Sequence, residues 1–270
     1  MTFSADHQPP ATSRRPPVSL TLTALSGIPL VRPGENLATL ILQSFEQAAL
    51  ALEDGDILVI AQKIVSKSEG RHVKLGDVQP SQGARELAAV TEKDPRLVEL
   101  ILSESREIVR HRLGVIVAEN RQGVVLANSG IDHSNVEADG DAEQVLLLPV
   151  DPDASAARIH KELQEQTQVN IAVIINDSLG RAWRNGTTGT ALGVSGLPAL
   201  LDLRGLPDLF GKPLQVSEQA IADELSAAAS LLQGQAAEGQ PVVLIRGYAT
   251  SAPPTPASAL IRPKEKDLFR

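Results

Sequence analysis

The sequence predicts a protein of the α+β class, with mixed α/β content. Runs rich in β-branched residues, such as 57–61 and 169–175, are typical of buried strands. Longer segments with helical spacing, such as 35–52 and 217–233, occur elsewhere in the chain without regular βαβ alternation. Aromatic residues make up only 2% of the 270 residues, so aliphatic side chains must fill the core. A chain of this length can form one large domain or two modest ones, and we expect a single domain over residues 18–270.

Local patterns predict the elements of the N-terminal half. Residues 18–25 alternate apolar and hydroxyl side chains, as a half-buried strand does. A helix over 35–52 and the Asp54-Gly55-Asp56 turn then lead into the strand 57–61, which ends in a polar segment over 62–71. Further on we expect helices near 81–90 and 95–109, and a strand pair at 114–118 and 123–127.

The C-terminal half continues the mixed pattern. Residues 146–150 are short and extended, and Asp153 or Ser155 can cap a helix that ends near residue 166. The strand 169–175 follows. The remaining predicted elements are an irregular stretch at 202–213, a helix at 217–233 with Ser217 as N-cap, a strand at 242–245 and an extended segment at 251–256.

Composition excludes several classes of function. The formal net charge is −8 and no basic face is evident, so we expect no nucleic-acid binding. No apolar run is long enough to cross a bilayer, and the chain has no cysteine for a disulfide framework or a thiolate nucleophile. Residues 1–17 are polar and proline-rich, which predicts a flexible tail and not a signal peptide. These features are typical of a cytoplasmic protein without membrane association.

The segment 176–189 is the most informative part of the chain. Asp177 and Ser178 follow a predicted buried strand, and a carboxylate beside a hydroxyl suits a hard cation such as Mg²⁺ or Mn²⁺. Arg181 and Arg184 suit phosphate or carboxylate oxygens, and glycines allow close backbone approach to a ligand. Trp183 could stack on a heteroaromatic ligand or serve in packing. The alternative for the segment is an acidic turn with solvated arginines.

Two further predicted strands also end in polar residues. Lys63 and Lys67 follow the strand 57–61, and Asp132 and Asn135 follow the strand 123–127. If these ends meet Asp177, the carboxylates can hold cations and the lysines can face phosphates, as phosphoryl chemistry requires. The alternatives are solvated lysines at a strand end and a turn-capping role for Asp132. The common phosphate-loop, dinucleotide and nucleophile-elbow motifs are missing from the sequence.

Taken together, these segments resemble the coenzyme F420-0:γ-glutamyl ligase family from about residue 18 to residue 270. The matching segments are SGIPL at 26–30, DGD at 54–56, IVSKSEGR at 64–71, GIDHSNV at 130–136, LLPVDPD at 147–153, NDSLGRAWR at 176–184, ADE at 222–224 and VLIRG at 243–247.

The resemblance implies an enzyme that uses GTP to add L-glutamate to the deazaflavin coenzyme F420-0, and also to its monoglutamylated form, through an acyl phosphate. It also implies two divalent cations, Mg²⁺ or Mn²⁺, with K⁺ as a further candidate, and an intertwined homodimer whose domain could comprise two subdomains. The implied catalytic residues are Asp132, Asp177 and Arg181. The implied metal ligands are Asp132 and Asp177 for one cation, and Ser178 and Gln235 for the other. The implied nucleotide contacts are Ile28, Pro29, Leu30, Val31, Gln62, Lys63, Lys67, Asn135 and the loop 233–240 with Gln233, Gly234, Gln235 and Gln240.

The chain departs from the family pattern at two positions. Gln235 stands where relatives often carry Glu, which predicts a weaker second metal site, and Ser178 stands where many carry Thr, which keeps the hydroxyl. Two other functions would use similar residues: a metal-dependent phosphohydrolase, and a non-catalytic protein that binds a deazaflavin or a nucleotide.

Overall fold

The computed structural model describes residues 18–132 and 143–268, so the expected tail at 1–17 lies outside the described residues. The strands are β1 (Thr21–Ala24), β2 (Ile57–Ala61), β3 (His72–Lys74), β4 (Ser105–Arg112), β5 (Val115–Asn120), β6 (Val125–Ala127), β7 (Gln144–Leu146), β8 (Ala172–Arg181), β9 (Arg184–Ser195), β10 (Leu201–Asp202), β11 (Glu218–Gln219) and β12 (Val242–Arg246). The α-helices are α1 (Leu37–Gln47), α2 (Gln62–Ser68), α3 (Gln82–Thr91), α4 (Pro95–Ser103), α5 (Pro152–Thr167) and α6 (Ile221–Gln233). The mixed α and β content is confirmed.

A five-stranded sheet in the order β1-β12-β2-β8-β9 forms the larger part of the fold. Only β2 and β8 run parallel, with Ile57 opposite Ala172, and the other neighbours in this sheet are antiparallel. Alternation along β2 explains why helices cover both faces. Leu58 and Ile60 pack with α1 and α5 on one face, whereas Val59 packs with α6 on the other. Each such buried aliphatic side chain contributes about 1.5–3 kcal/mol to folding.

A second group of elements packs around its own apolar core. Helices α3 and α4 pack against the antiparallel sheet β4-β5-β6 and the strand pair β3-β7. Val98, Ile101 and Ile116 are fully buried at its centre. The predicted strand pair at 114–118 and 123–127 is confirmed as β5 and β6. This second core supplies the other wall of the site described below.

Three predicted helix boundaries are wrong. The helix expected over 95–109 ends at Ser103, and residues 105–112 instead form β4, because β5 offers an antiparallel partner for six of these eight residues. The helix expected over 217–233 begins at Ile221 without a side-chain cap, since Glu218 and Gln219 pair with β10 and draw Ser217 out of the capping position. The helix expected over 35–52 is shorter, running from Leu37 to Gln47.

The N-cap of α5 also differs from the prediction. Asp151 caps this helix by accepting a hydrogen bond from the backbone N–H of Ala154 at 3.0 Å. Asp153 lies in the first turn and accepts backbone N–H groups from Val194 and Ala257. Its carboxylate therefore ties the helix start to β9 and to the C-terminal segment. Ser155 donates to Glu69 instead of capping the helix.

Among the described residues, no helix is both long and apolar enough to cross a membrane.

Candidate active site

A cleft of about 1200 Å³ opens at one edge of the central sheet. The pairing of β2 with β8 stops at Ala61 and Asn176, and β8 continues beyond this point paired only with β9. Asp177 is the first residue past the end of β2. Clefts beyond the carboxyl ends of parallel strands are the usual ligand sites of α/β sheets.

The structure brings most of the predicted site residues into this one cleft. Those that line it are Ile28, Pro29, Leu30, Val31, Gln62, Lys63, Lys67, Asp132, Asp177, Ser178, Gln233, Gly234, Gln235 and Gln240. The three polar strand ends therefore converge, although the role of each residue stays a prediction. Asn135 lies outside the described residues, and Arg181 does not line the cleft.

Asp132 is held by two side chains at the start of α2. The Lys63 Nζ atom lies 3.1 Å from Asp132 Oδ2, and Gln62 Nε2 donates to the same oxygen at 3.0 Å. Gln62 is buried, and its own Oε1 atom accepts a hydrogen bond from Ser66 Oγ at 2.9 Å. Because both atoms of the amide are engaged, Gln62 has a fixed orientation and fixes the carboxylate in turn.

Asp177 faces the same groups from the central sheet. Burial raises the pKa of Asp177 from 3.8 to about 7, with a smaller contribution from the charge of the nearby Asp132 carboxylate. The Lys63 ammonium opposes this shift. The Asp177 Oδ1 atom accepts the backbone N–H of Ser178 at 2.8 Å, which limits side-chain rotation. Two carboxylates that disfavour each other's charge are a suitable setting for a divalent cation.

Ser178, the residue after Asp177, is hydrogen-bonded to Gln235. Gln235 Nε2 donates to Ser178 Oγ at 2.8 Å, and Thr187 Oγ1 donates to Gln235 Oε1 at 3.4 Å. The loop that carries Gln235 is anchored by a reciprocal amide pair, in which Asn176 Nδ2 donates to Gln233 Oε1 at 2.8 Å and Gln233 Nε2 donates back at 3.1 Å. The end of α6 is thus fixed to the sheet edge beside Asp177.

The protein atoms at this site suit divalent cations only if substrate phosphates or water molecules supply further oxygen atoms. Among the described residues, no group of three or more His, Asp or Glu side chains is arranged to hold a metal ion. Asp132 and Asp177 provide two carboxylates, and Ser178 provides a hydroxyl. Mg²⁺ sites with few protein carboxylates and several substrate phosphate or water oxygens are common in phosphoryl-transfer enzymes.

The segment that follows Ser178 is a β-hairpin and not a loop, and its predicted contact with a ligand stays a prediction. Strands β8 and β9 pair as far as Arg181 and Arg184, and Trp183 lies at the turn with φ +57° and 78% of its side chain exposed. Gly189 serves packing and not ligand approach, because a Cβ atom there would collide with the backbone of Ser226 in α6. Gly180 and Thr187 of this hairpin line the cleft, whereas Arg181, Trp183 and Arg184 do not.

A row of polar residues on the other wall of the cleft was not predicted from the sequence. His72, Lys74 and Gln144 line the cleft from the β3-β7 pair. The signal was the alternation of polar His72 and Lys74 around Val73, whose side chain packs into the second core. A three-residue strand is too short for this pattern to stand out in the sequence.

Comparison with known protein sequences shows to which family the chain belongs. The sequence profile described as F420-0:Gamma-glutamyl ligase matches residues 27–247. The chain belongs to the F420-0:γ-glutamyl ligase family. It is 47% identical to the coenzyme F420:L-glutamate ligase of Methanothermobacter thermautotrophicus over 94% of this chain and 100% of the relative. It is 44% identical to the protein of the same name from Methanocaldococcus jannaschii over 90% and 94% of the two chains, and 37% identical to that of Archaeoglobus fulgidus over 91% and 94%.

Family membership confirms the resemblance seen in the sequence and shows that the chain is an enzyme of the ligase class. The matched region contains both walls of the cleft and every described site residue.

Proposed function

We propose that this F420-0:γ-glutamyl ligase family member joins L-glutamate to the phospholactyl deazaflavin coenzyme F420-0, and to its monoglutamylated form, in F420 biosynthesis with GTP as the energy source. The observation that carries the proposal is the meeting of Asp132 and Asp177 beside Lys63, at the edge of a cleft of about 1200 Å³. A cleft of that volume exceeds the upper end of the usual range for one small ligand, about 1000 Å³, so it can hold a nucleotide and an acceptor together.

The reaction has two displacements. The terminal carboxylate of the acceptor attacks the γ-phosphorus of GTP, which breaks the bond to GDP and forms an acyl phosphate. The amine of glutamate then attacks the acyl carbon, inorganic phosphate leaves, and the amine loses its proton. Phosphoryl transfer of this kind depends mainly on position and on positive charge around the phosphate.

The residues of the chain would divide this work between the two walls. Lys63 and Lys67 on α2 face the cleft with positive charge for the phosphates. Two divalent cations, bound through Asp132 and Asp177 and through Ser178 and Gln235, would neutralise phosphate charge. Leu30, 75% exposed at the cleft, offers an apolar surface for a base or ring. Gln62 keeps the Asp132 carboxylate oriented throughout.

A phosphate-release assay tests the proposal. Phosphate should appear only when GTP, the deazaflavin acceptor and glutamate are all present, and Asp177→Ala should abolish its release while the protein stays folded. Asp77→Ala, which changes an exposed aspartate outside the cleft, is the matched control. Phosphate release from GTP without glutamate or acceptor would instead favour the phosphohydrolase, and binding without turnover would favour a non-catalytic role.

We also propose that the protein forms a homodimer through the arm formed by residues 201–219. The arm is a narrow hairpin closed by backbone hydrogen bonds such as the one from the Gly205 N–H to the Leu214 carbonyl, and several of its apolar side chains are exposed. Leu209 is 90% exposed and Phe210 is 78% exposed. Contiguous exposed apolar side chains are typical of protein–protein interfaces.

Sedimentation velocity at micromolar concentration tests the dimer. The parent chain should sediment as a dimer, and Phe210→Asp should shift it to a monomer. Val90→Asp, which places a charge at another exposed apolar position, should leave the dimer intact. A monomeric parent, or a dimer in the Phe210→Asp variant, would contradict the proposal.

A further inference from the structure

A polar row on the second wall of the cleft, formed by His72, Lys74 and Gln144, has no part in the chemistry described so far. His72 and Lys74 lie two residues apart on β3, so both side chains point to the same face of the pair. Gln144 is the register partner of Lys74 on β7. All three line the cleft, whereas Val73 between them packs into the apolar core of the second group of elements.

The backbone fixes where this row lies relative to the carboxylates. Leu146 pairs with His72 in the β3-β7 ladder, and on its other side it exchanges two backbone hydrogen bonds of 2.9 Å with Asp132. Since neighbouring strands lie about 4.8 Å apart, the backbones of Asp132 and His72 are about 10 Å apart. Lys74 and Gln144 lie two residues further along their strands, about 7 Å from the cross-strand neighbours His72, Leu146 and Asp132.

From this placement we propose that Lys74, with Gln144 and His72, binds the side-chain carboxylate of the incoming L-glutamate. The inference rests on the proposed ligase function. The amine of glutamate has to reach the acyl carbon beside Asp132 and Asp177, and the α-carboxylate is attached to the same carbon atom as that amine. The side-chain carboxylate extends away from the reacting atoms. Lys74 is the positively charged side chain on this wall that lies further along the cleft from Asp132, where that carboxylate would reach.

The charges of the wall suit an anion. Burial, and to a lesser extent the charge of Lys67, lower the pKa of His72, so at neutral pH it contributes a neutral imidazole N–H. Lys74 provides the full positive charge, and the Gln144 amide provides a further donor. No Asp or Glu among the described residues that line the cleft lies on β3 or β7. A carboxylate there would meet the Lys74 ammonium and the Gln144 amide as donors.

Substrate discrimination provides the test. In the parent enzyme, kcat/KM should favour L-glutamate over L-glutamine, which differs only in the side-chain amide. Lys74→Gln should raise the KM for glutamate at least tenfold, lower the glutamate-to-glutamine preference by a similar factor, and change the KM for GTP less than twofold. Lys161→Gln is the control, because its side chain is 77% exposed on α5, outside the cleft. Gln144→Leu should show a smaller effect in the same direction.

The outcomes separate the subsite from the ligase function. An active parent whose Lys74→Gln variant keeps its KM for glutamate and its preference over glutamine would overturn the subsite alone. A rise in the KM for GTP instead would assign Lys74 to the nucleotide and also overturn it. A folded parent that shows no glutamate-dependent turnover would overturn the proposed function itself. Thermal unfolding of each variant identifies a loss of activity that is caused only by misfolding.

Discussion

The Nε2 atom of Gln235 lies 2.8 Å from the Oγ atom of Ser178. This contact joins the loop after α6 to the edge of the central sheet, beside the Asp177 carboxylate. Both residues were expected at the same cation, and the structure places them in contact. With the amide in this orientation its NH₂ group faces Ser178, so a cation at Ser178 requires the amide to turn and present Oε1.

Gln235→Glu should strengthen this second cation site. A carboxylate carries a full charge where an amide oxygen carries a partial one, and affinity for divalent cations rises with the charge of the ligands. We expect the Mg²⁺ concentration for half-maximal activity to fall about tenfold, or about 1.4 kcal/mol. Activity titrated with Mg²⁺ and with Mn²⁺ measures the change, and Mg²⁺ should gain more. Equal metal requirements in variant and parent would remove Gln235 from the site.

Asp177→Asn should make the metal-free protein more stable above neutral pH. The folded state raises the pKa of Asp177 from 3.8 to about 7, so the folded protein binds the proton more tightly than the unfolded chain does. Stability is therefore lost as pH rises from about 4 to about 7, and the loss stays constant above that range. A shift of this size corresponds to at most about 4 kcal/mol, since 1.4 kcal/mol accompanies each pKa unit.

Urea unfolding in the presence of a chelator, at pH values between 4 and 8, measures that effect. The stability gain of Asp177→Asn over the parent should grow between pH 4 and pH 7 and then level off. Asp77→Asn, at an exposed position outside the cleft, should show no such dependence. A gain that is independent of pH would mean that the Asp177 carboxylate is not destabilised in the fold.

Lys67→Ala should weaken the use of GTP much more than the use of glutamate. Lys67 follows Lys63 by one turn of α2 and lines the cleft. We expect its ammonium group to contact the phosphates of GTP. The loss of a charge-assisted contact of about 1.5–3 kcal/mol predicts a rise in the KM for GTP of at least tenfold. Steady-state kinetics with each substrate varied in turn provide the measurement. Equal effects on both substrates would place Lys67 elsewhere.

Gly189→Ala should destabilise the fold, and Gly180→Ala should not. Both glycines lie in the β8-β9 hairpin, but only Gly189 faces the backbone of Ser226 in α6, whereas a Cβ atom on Gly180 would meet open space. Overpacking at Gly189 predicts a loss of about 1–3 kcal/mol in the free energy of unfolding. Chemical denaturation of the two variants measures the difference, and equal stabilities would contradict this account of the hairpin.

The sequence identified the strand ends but not what lies beyond them. Asp132 and Asp177 were recognisable because each follows an apolar run, and the polar ends of buried strands commonly meet. Strand β8 continues as a hairpin, and Arg181 in this hairpin does not line the cleft. The continuation depends on pairing with β9 over residues that carry no clear strand pattern. The same limit applies to β4, whose strand forms because β5 lies beside it.

Mass spectrometry of the reaction product tests directly whether the protein joins glutamate to the deazaflavin acceptor. Purified protein is incubated with deazaflavin acceptor, L-glutamate, GTP and Mn²⁺, and the acceptor mass is followed with time. We expect products heavier by one or more glutamyl residues, formed only with GTP and absent with Asp177→Ala. An unchanged acceptor mass while GTP is consumed by a folded parent protein would contradict this expectation.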